Sequence, residues 1–372
     1  GMVCMGLLLV LSSCHTGKQI TASGLQRKDF QTEVNGQHTD LFTLSNKQGM
    51  EVCITNYGAR VVSILVPDRN GKRKDVVCGF STITEYMEQR QNFGSTVGRY
   101  IGRILNARFT LDGVEYKLVP NNGKSGHISH GGNPGFADRI WKVEQADTHR
   151  VCLSYLSPDG ENGFPGNLKV TLVYSLGEDD NALDLTYEAT TDAPTVLNLS
   201  HHSFFNISGN FTKSVEDQQL WVDADRFTPY DDKKCVTGEY LQVAGTPLDF
   251  RMPHAIGECI DADHPQLKVV NGYDHTWELN TKGDDTRPAA WVYDPASGRK
   301  MEIFTTEPGM QIYTGNGLKG KMTGKGGIAY PFRSAVCFET MHFQDSPNQP
   351  GFPSTVLRPG EVFRSHTVYK FE

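Results

Sequence analysis

Basic charge is scarce in this chain of 372 residues. Its 36 lysines and arginines stand against 43 aspartates and glutamates, a formal net charge of −7. A nucleic-acid surface needs a basic stripe, so the balance argues against that partner and fits a soluble protein with a neutral ligand. Membrane-length apolar runs are missing as well. The run Met5-Gly6-Leu7-Leu8-Leu9-Val10-Leu11 falls far short of the about 20 residues a spanning helix requires. The cysteines show neither C-x-x-C nor zinc-type spacing, which leaves no sequence signal for a metal site. Walker loops, G-x-S-x-G, H-E-x-x-H and Rossmann glycine strings are all absent, and no Ser or thiol carries a nucleophile signature. Helical periodicity is rare, with residues 81–89 the best short candidate. No fixed-period repeat or heptad interrupts the text.

What is present begins with a leader. The apolar run ends in Leu11-Ser12-Ser13-Cys14, which resembles a lipoprotein processing box in which the Cys becomes the lipidated first residue. The expectation is a leader and linker over residues 1–22, a lipid anchor at Cys14 and a place in the cell envelope or periplasm; without processing, the chain would be cytoplasmic. Of the six cysteines beyond the leader, Cys53, Cys78, Cys152 and Cys337 lie in apolar β-like runs and read as buried thiols.

From Phe30 onward the text is strand, turn, strand. Asn35-Gly36 and Asp112-Gly113 are strong hairpin signals. Strand-like runs fall at residues 41–44, 50–55, 59–66, 141–146, 151–156, 168–176 and 183–190, and the pattern recurs to Phe371. The polar, turn-rich stretches 255–267 and 280–288 read as mobile. The fold class that follows is all-β: one large antiparallel β-sandwich with few short helices, a single domain over residues 23–372.

Five segments set ionisable groups in strand- or turn-like text. Asn198-Leu199-Ser200-His201-His202-Ser203-Phe204-Phe205-Asn206 places two adjacent histidines in an extended run. Side chains alternate faces along a strand, so at most one of them can enter a given pocket. The stretch also fits one solvated and one core histidine. Gly98-Arg99-Tyr100-Ile101-Gly102-Arg103-Ile104 holds two arginines four apart; an Arg among Ile and Gly is suited to reach a carboxylate or ligand oxygen through its planar fork. In Gly126-His127-Ile128-Ser129-His130-Gly131-Gly132, His127 reads as a loop residue, while the glycines after His130 let backbone approach a ligand. Gly272-Tyr273-Asp274-His275-Thr276-Trp277 sets an Asp beside aromatics, which suits a sugar or a plain turn. Ala335-Val336-Cys337-Phe338-Glu339-Thr340 ends an apolar run on one carboxylate. A buried carboxylate is costly unless paired, so Glu339 is either a structural ion-pair partner or a functional group.

Taken in order with Pro308-Gly309-Met310-Gln311-Ile312-Tyr313-Thr314-Gly315-Asn316 and Glu339-Thr340-Met341-His342-Phe343-Gln344-Asp345-Ser346-Pro347-Asn348, these segments closely resemble the aldose 1-epimerase, or galactose mutarotase, family over residues 41–369. The resemblance implies a galactose mutarotase-type sandwich that interconverts the α and β anomers of free aldoses, galactose and glucose among them, without a cofactor. It implies Glu339 as catalytic base, His202 as catalytic acid and His130 as a second active-site histidine near the ring oxygen. It implies substrate-hydroxyl contacts by Arg103, Asp274 and Gln311. His201 and Gly102 stand where the family often has Asn, Phe204 where Tyr is frequent, and Met341 where Gln is frequent; these departures bear on sugar preference more than on reaction type. Two alternatives remain open: a non-catalytic carbohydrate-binding lipoprotein on the same fold, and an epimerase of modified or phosphorylated sugars. The second would want more Arg or Lys at the site than Arg99, the one extra base the motif segments supply.

Overall fold

Alternation of buried and outward residues sets the layers. The computed structural model describes residues 18–372; the apolar run, Cys4 and Cys14 lie outside the described residues. Leu168–Leu176 buries Leu168, Val170, Leu172, Tyr174 and Leu176 and turns the residues between them outward, as a strand with one covered face must. Ala182–Thr191 keeps the same rhythm. Both lie in a nine-stranded antiparallel sheet. Its order is Lys142–Ala146, Arg150–Ser157, Leu168–Leu176, Ala182–Thr191, Phe363–Phe371, Lys300–Thr305, Ala290–Tyr293, Gln219–Val222 and His254–Ala255. The last long strand of the chain, Phe363–Phe371, therefore sits at the centre of the large sheet.

A six-stranded sheet runs Phe204–Phe205, Val336–Met341, Gly309–Tyr313, Asp274–Glu278, Arg226–Thr228 and Leu241–Gln242. A four-stranded sheet is built from Leu41–Ser45, Glu51–Thr55, Arg60–Pro67 and Arg73–Asp75. One apolar cluster fills the space between the layers. It joins Leu172 and Leu185 of the large sheet to Val52 and Ile64 of the four-stranded sheet and to Phe338, Met310 and Trp277 of the six-stranded one. Two tyrosines of the large sheet pin its partners. Tyr174 Oη donates to the carbonyl of Ala59 at 2.6 Å, and Tyr369 Oη donates to the carbonyl of Phe338 at 2.8 Å. The structure is the antiparallel β-sandwich read from the sequence.

Local expectations fare unevenly. Asn35 and Gly36 both take positive φ between the paired strands Glu33–Val34 and Gln37–His38, and Asp112 and Gly113 do the same, as tight hairpins demand. The helix expected at 81–89 is Ile83–Gln89, capped by Thr82. Residues 255–267 depart from the expectation of a mobile loop: they hold the 3-10 turn Ile256–Glu258 and the start of the helix Pro265–Val270. Pro265 at the first helical turn has its φ preset, and His264 caps the helix by accepting from the backbone N–H of Gln266. Cys53, Cys78 and Cys337 are buried, Cys152 is half-buried, and all six described cysteines are unpaired. Among the described residues no helix is long and apolar enough to cross a membrane.

Candidate active site

The parity of three neighbouring strands builds the site. In Val336–Met341, Phe338 packs with Phe205 towards Tyr369 of the large sheet in the shared core cluster, so Cys337, Glu339 and Met341 take the opposite face. Register then sets Gln311 opposite Glu339 and Tyr313 opposite Cys337, with Asp274 opposite Tyr313. Glu339, Gln311, Tyr313 and Asp274 thus share one face of the six-stranded sheet. They line a cleft of about 650 Å³ together with Arg103, His130, His202, Phe204, Tyr230 and Gln344.

His202 reaches the cleft from the strand Ser200–His202, paired with Ser95–Val97, and its ring stacks on Phe204 at 5.0 Å. Its Nε2 lies 3.1 Å from Oε1 of Glu339. The two residues are 5% and 3% exposed, so the contact is made almost without water. His201 points the other way, as alternation requires. It meets the Ser203 hydroxyl and packs against Tyr174 and Tyr369 in the core, where burial pushes its pKa down to about 3. His130 stands edge-on to His202, ring centroids 5.5 Å apart. Its Nδ1 accepts from the backbone N–H of Gly102 at 3.2 Å, which leaves the ring proton on Nε2, free to donate. Gly131 makes this placement possible: φ is +78°, and a Cβ there would meet the carbonyl oxygen of Gly98 at 2.0 Å.

The electrostatics are those of a dry pair. Burial pushes the Glu339 carboxyl well above its ordinary value, and Asp274 adds to the shift. Burial pushes the His202 imidazole well below its own, and His130 adds to that. Both shifts favour the neutral forms of the two partners. Burial and then Arg103 lower His130 to about 4, so it too is a neutral donor. Asp274 is pushed up to about 6 by burial, against the pull of Gln311 and Arg103.

A hydrogen-bond web positions the remaining groups. Gln311 Nε2 donates to Asp274 Oδ1 at 2.8 Å, and its Oε1 accepts from the Thr276 hydroxyl. Gln344 Nε2 donates to Tyr230 Oη at 2.9 Å, while its Oε1 accepts from the backbone N–H of Arg103 at 3.1 Å. Arg103 Nη1 donates to the carbonyl of Lys234 at 2.7 Å. All six residues singled out from the sequence, Glu339, His202, His130, Arg103, Asp274 and Gln311, therefore meet in one cleft.

Arg99 does not join them. It is buried and donates to the carbonyls of Ser157, Pro158, Pro165 and Gly166 and to the Ser157 hydroxyl, so it pins a loop where a carboxylate or ligand contact was expected. His127 is a buried acceptor for the Asn106 N–H. Tyr230, Gln344 and the lysines 234, 268 and 319 line the cleft without having been singled out. Gln344 carried a signal, lying one residue before Asp345 inside the last motif; Tyr230 and the lysines carried none.

A carboxyl–imidazole pair buried at the floor of an open polar cleft on a β-sandwich is an arrangement suited to acid–base chemistry. The particular family follows from comparison. The model of the aldose 1-epimerase family matches residues 40–370. A galactose mutarotase from Bos taurus is 40% identical over 331 residues, covering 89% of this chain and 93% of that one. An aldose 1-epimerase from Escherichia coli strain K12 is 36% identical over 339 residues, covering 91% and 96%. Among solved structures, an aldose epimerase homologue from C. elegans superposes with a TM-score of 0.80 at 30% identity, covering 90% of this chain and 99% of that one. A galactose 1-epimerase from Lactobacillus acidophilus also gives 0.80, at 28% identity, covering 92% and 96%. The chain belongs to the aldose 1-epimerase family and is an isomerase of that kind.

Proposed function

We propose that the chain interconverts the α and β anomers of free aldohexoses such as galactose and glucose, with Glu339 as base and His202 as acid. The observation that carries this reading is the 3.1 Å approach of Glu339 to His202 at the cleft floor. An anomeric hydroxyl at Glu339 and a ring oxygen at His202 need one proton removed and one supplied at the same moment. A pair that shares a single proton meets that need. Sugar hydroxyls donating to Glu339 favour its ionised form, which draws the pair's proton across to His202. Glu339 then takes the proton of the anomeric hydroxyl, His202 protonates the ring oxygen, and the C1–O5 bond opens. Rotation about C1–C2 and closure on the other face complete the exchange and return both protons. Midway through the exchange Glu339 is protonated and His202 neutral, the forms that burial favours. His130 donates from Nε2 beside the ring oxygen, while Arg103, Asp274 and Gln311 hold the remaining hydroxyls.

Polarimetry or anomeric NMR of freshly dissolved α-galactose and α-glucose tests this. Wild type is expected to speed equilibration. Glu339→Gln and His202→Asn should each lose roughly 10²–10⁴-fold while still binding sugar. Full activity in either variant would reject the assignment.

A second reading concerns substrates with an anionic substituent. It is favoured by the bases that line the cleft outside the motif segments, namely Lys234, Lys268 and Lys319 beside Arg103. The leader reading also stands as a proposal. Cys14 is lipidated and tethers the domain of residues 23–372 to the envelope; metabolic labelling with a fatty acid that leaves the full-length protein unmarked would refute it.

A further inference from the structure

The mechanism uses two buried groups and leaves a third beside them idle. Cys337 is two residues from Glu339 on the same face of Val336–Met341, and it pairs across the sheet with Phe204, on whose ring His202 stacks. It is fully buried beneath the cleft in an apolar cluster with Phe204 and Cys78. One donor atom each from His202, Cys337 and Glu339 lie within 4.8 Å of one another. A tetrahedral Zn²⁺ with bonds of about 2.0–2.3 Å holds its donors about 3.3–3.6 Å apart. The His202–Glu339 contact of 3.1 Å is just inside that spacing, and the thiol, within 4.8 Å of both, needs to close by about 1 Å at most.

We infer that these three side chains form a binding site for a soft divalent cation, Zn²⁺ or Cd²⁺, and that its occupation shuts off the acid–base pair. One imidazole, one thiolate and one carboxylate with the fourth position open to the cleft are a fitting set for such ions. Magnesium and calcium ask for six or more oxygens and are refused. The ion would occupy the lone pairs of Nε2 and Oε1 that proton transfer needs, so metal and sugar exclude one another. Resident zinc sites hold the second nitrogen of a ligating histidine with a hydrogen bond. Nδ1 of His202 is buried without a partner, so the site takes its ion reversibly and gives it up to a chelator. The inhibitory part of this inference rests on the proposed function; the binding part does not.

Two readouts separate them. Titration of the protein with Cd²⁺ should produce the ultraviolet thiolate-to-cadmium charge-transfer band. Cys337→Ala should lack that increment, and excess galactose should suppress it in wild type. In the mutarotation assay Zn²⁺ should slow wild type competitively with galactose, and EDTA should restore the rate. Cys337→Ala should keep the metal-free rate yet need at least tenfold more Zn²⁺ for the same inhibition. Cys337→Ser serves if the alanine variant fails to fold, and the galactose arm needs no variant. An unchanged band or unchanged inhibition in the Cys337 variants would overturn the site, as would, in a protein that mutarotates galactose, a band indifferent to that sugar. Mutarotation without any band would overturn it too. A band without mutarotation would leave the site standing and remove the proposed function instead.

Discussion

Glu339 and His202 carry the sharpest consequence at the scale of single residues, because their shifts oppose one another. In the proposed roles, the pair acts only while it holds one proton. Below the lower of its two macroscopic pKa values both groups are protonated and no base remains; above the upper value both are deprotonated and no acid remains. Burial lowers His202 and raises Glu339, so the two values belong to the pair and not to either group alone. The profile of kcat/KM against pH should be a bell. Its acid limb should fall below the ordinary imidazole value of about 6.5, and its alkaline limb should lie well above the ordinary carboxylate value of about 4.3. A flat profile over the acid and neutral range would rule the pair out. Much of this site could be read from residues alone. Alternation separated His201 from His202, and the lone carboxylate ending an apolar run marked Glu339. Arg99 misled for a physical reason: most of its partners are backbone carbonyls 58 to 67 positions away, and carbonyls have no signature in a sequence.

Elements explain what the residues could not. Gln311 and Asp274 were visible as motif members, but their shared face follows from the register of Gly309–Tyr313 between Asp274–Glu278 and Val336–Met341. Tyr230 enters from outside that face and bonds Gln344 and Gln311. No local pattern announces such a contact, because it depends on how a loop returns to the sheet. The loop at 280–288, expected to be mobile, is tied down by His366 of the central strand Phe363–Phe371. Its Nδ1 lies 2.6 Å from Asp285 and its Nε2 lies 2.6 Å from Asp184. The two carboxylates raise the imidazole to about 9. A raised folded-state pKa means stability that is fully present below the unfolded value and lost as pH rises through the folded one. The bridge is partly solvated, which limits it to about 1 kcal/mol. Denaturant unfolding of wild type should therefore show a small loss of stability between about pH 6.5 and 9, and His366→Asn should be less stable at pH 6 and insensitive across that window. Equal slopes for both proteins would dismiss the bridge.

The whole molecule sets its own charge against that of its cleft. Net charge is −7, yet the cleft is lined by Arg103, Lys234, Lys268 and Lys319 against two acids, Asp274 and Glu339, both held towards neutrality by burial. Lys268 is paired with Asp263, so Lys234 and Lys319, both exposed, supply the available charge at the rim. At physiological salt the screening length is about 8 Å, shorter than the distance across the protein but comparable to the cleft. Local cations should then outweigh distant acids for any ligand already at the mouth. If the enzyme accepts a hexose phosphate or a uronate, its kcat/KM for that sugar should fall as salt rises, while the value for galactose stays level. Lys234→Ala combined with Lys319→Ala should lower kcat/KM for the charged sugar by roughly two- to tenfold, the worth of two exposed ion pairs, and leave galactose untouched. Should galactose and its charged analogue respond alike to salt and to the double variant, the rim lysines play no part in substrate choice and the neutral-sugar reading stands alone.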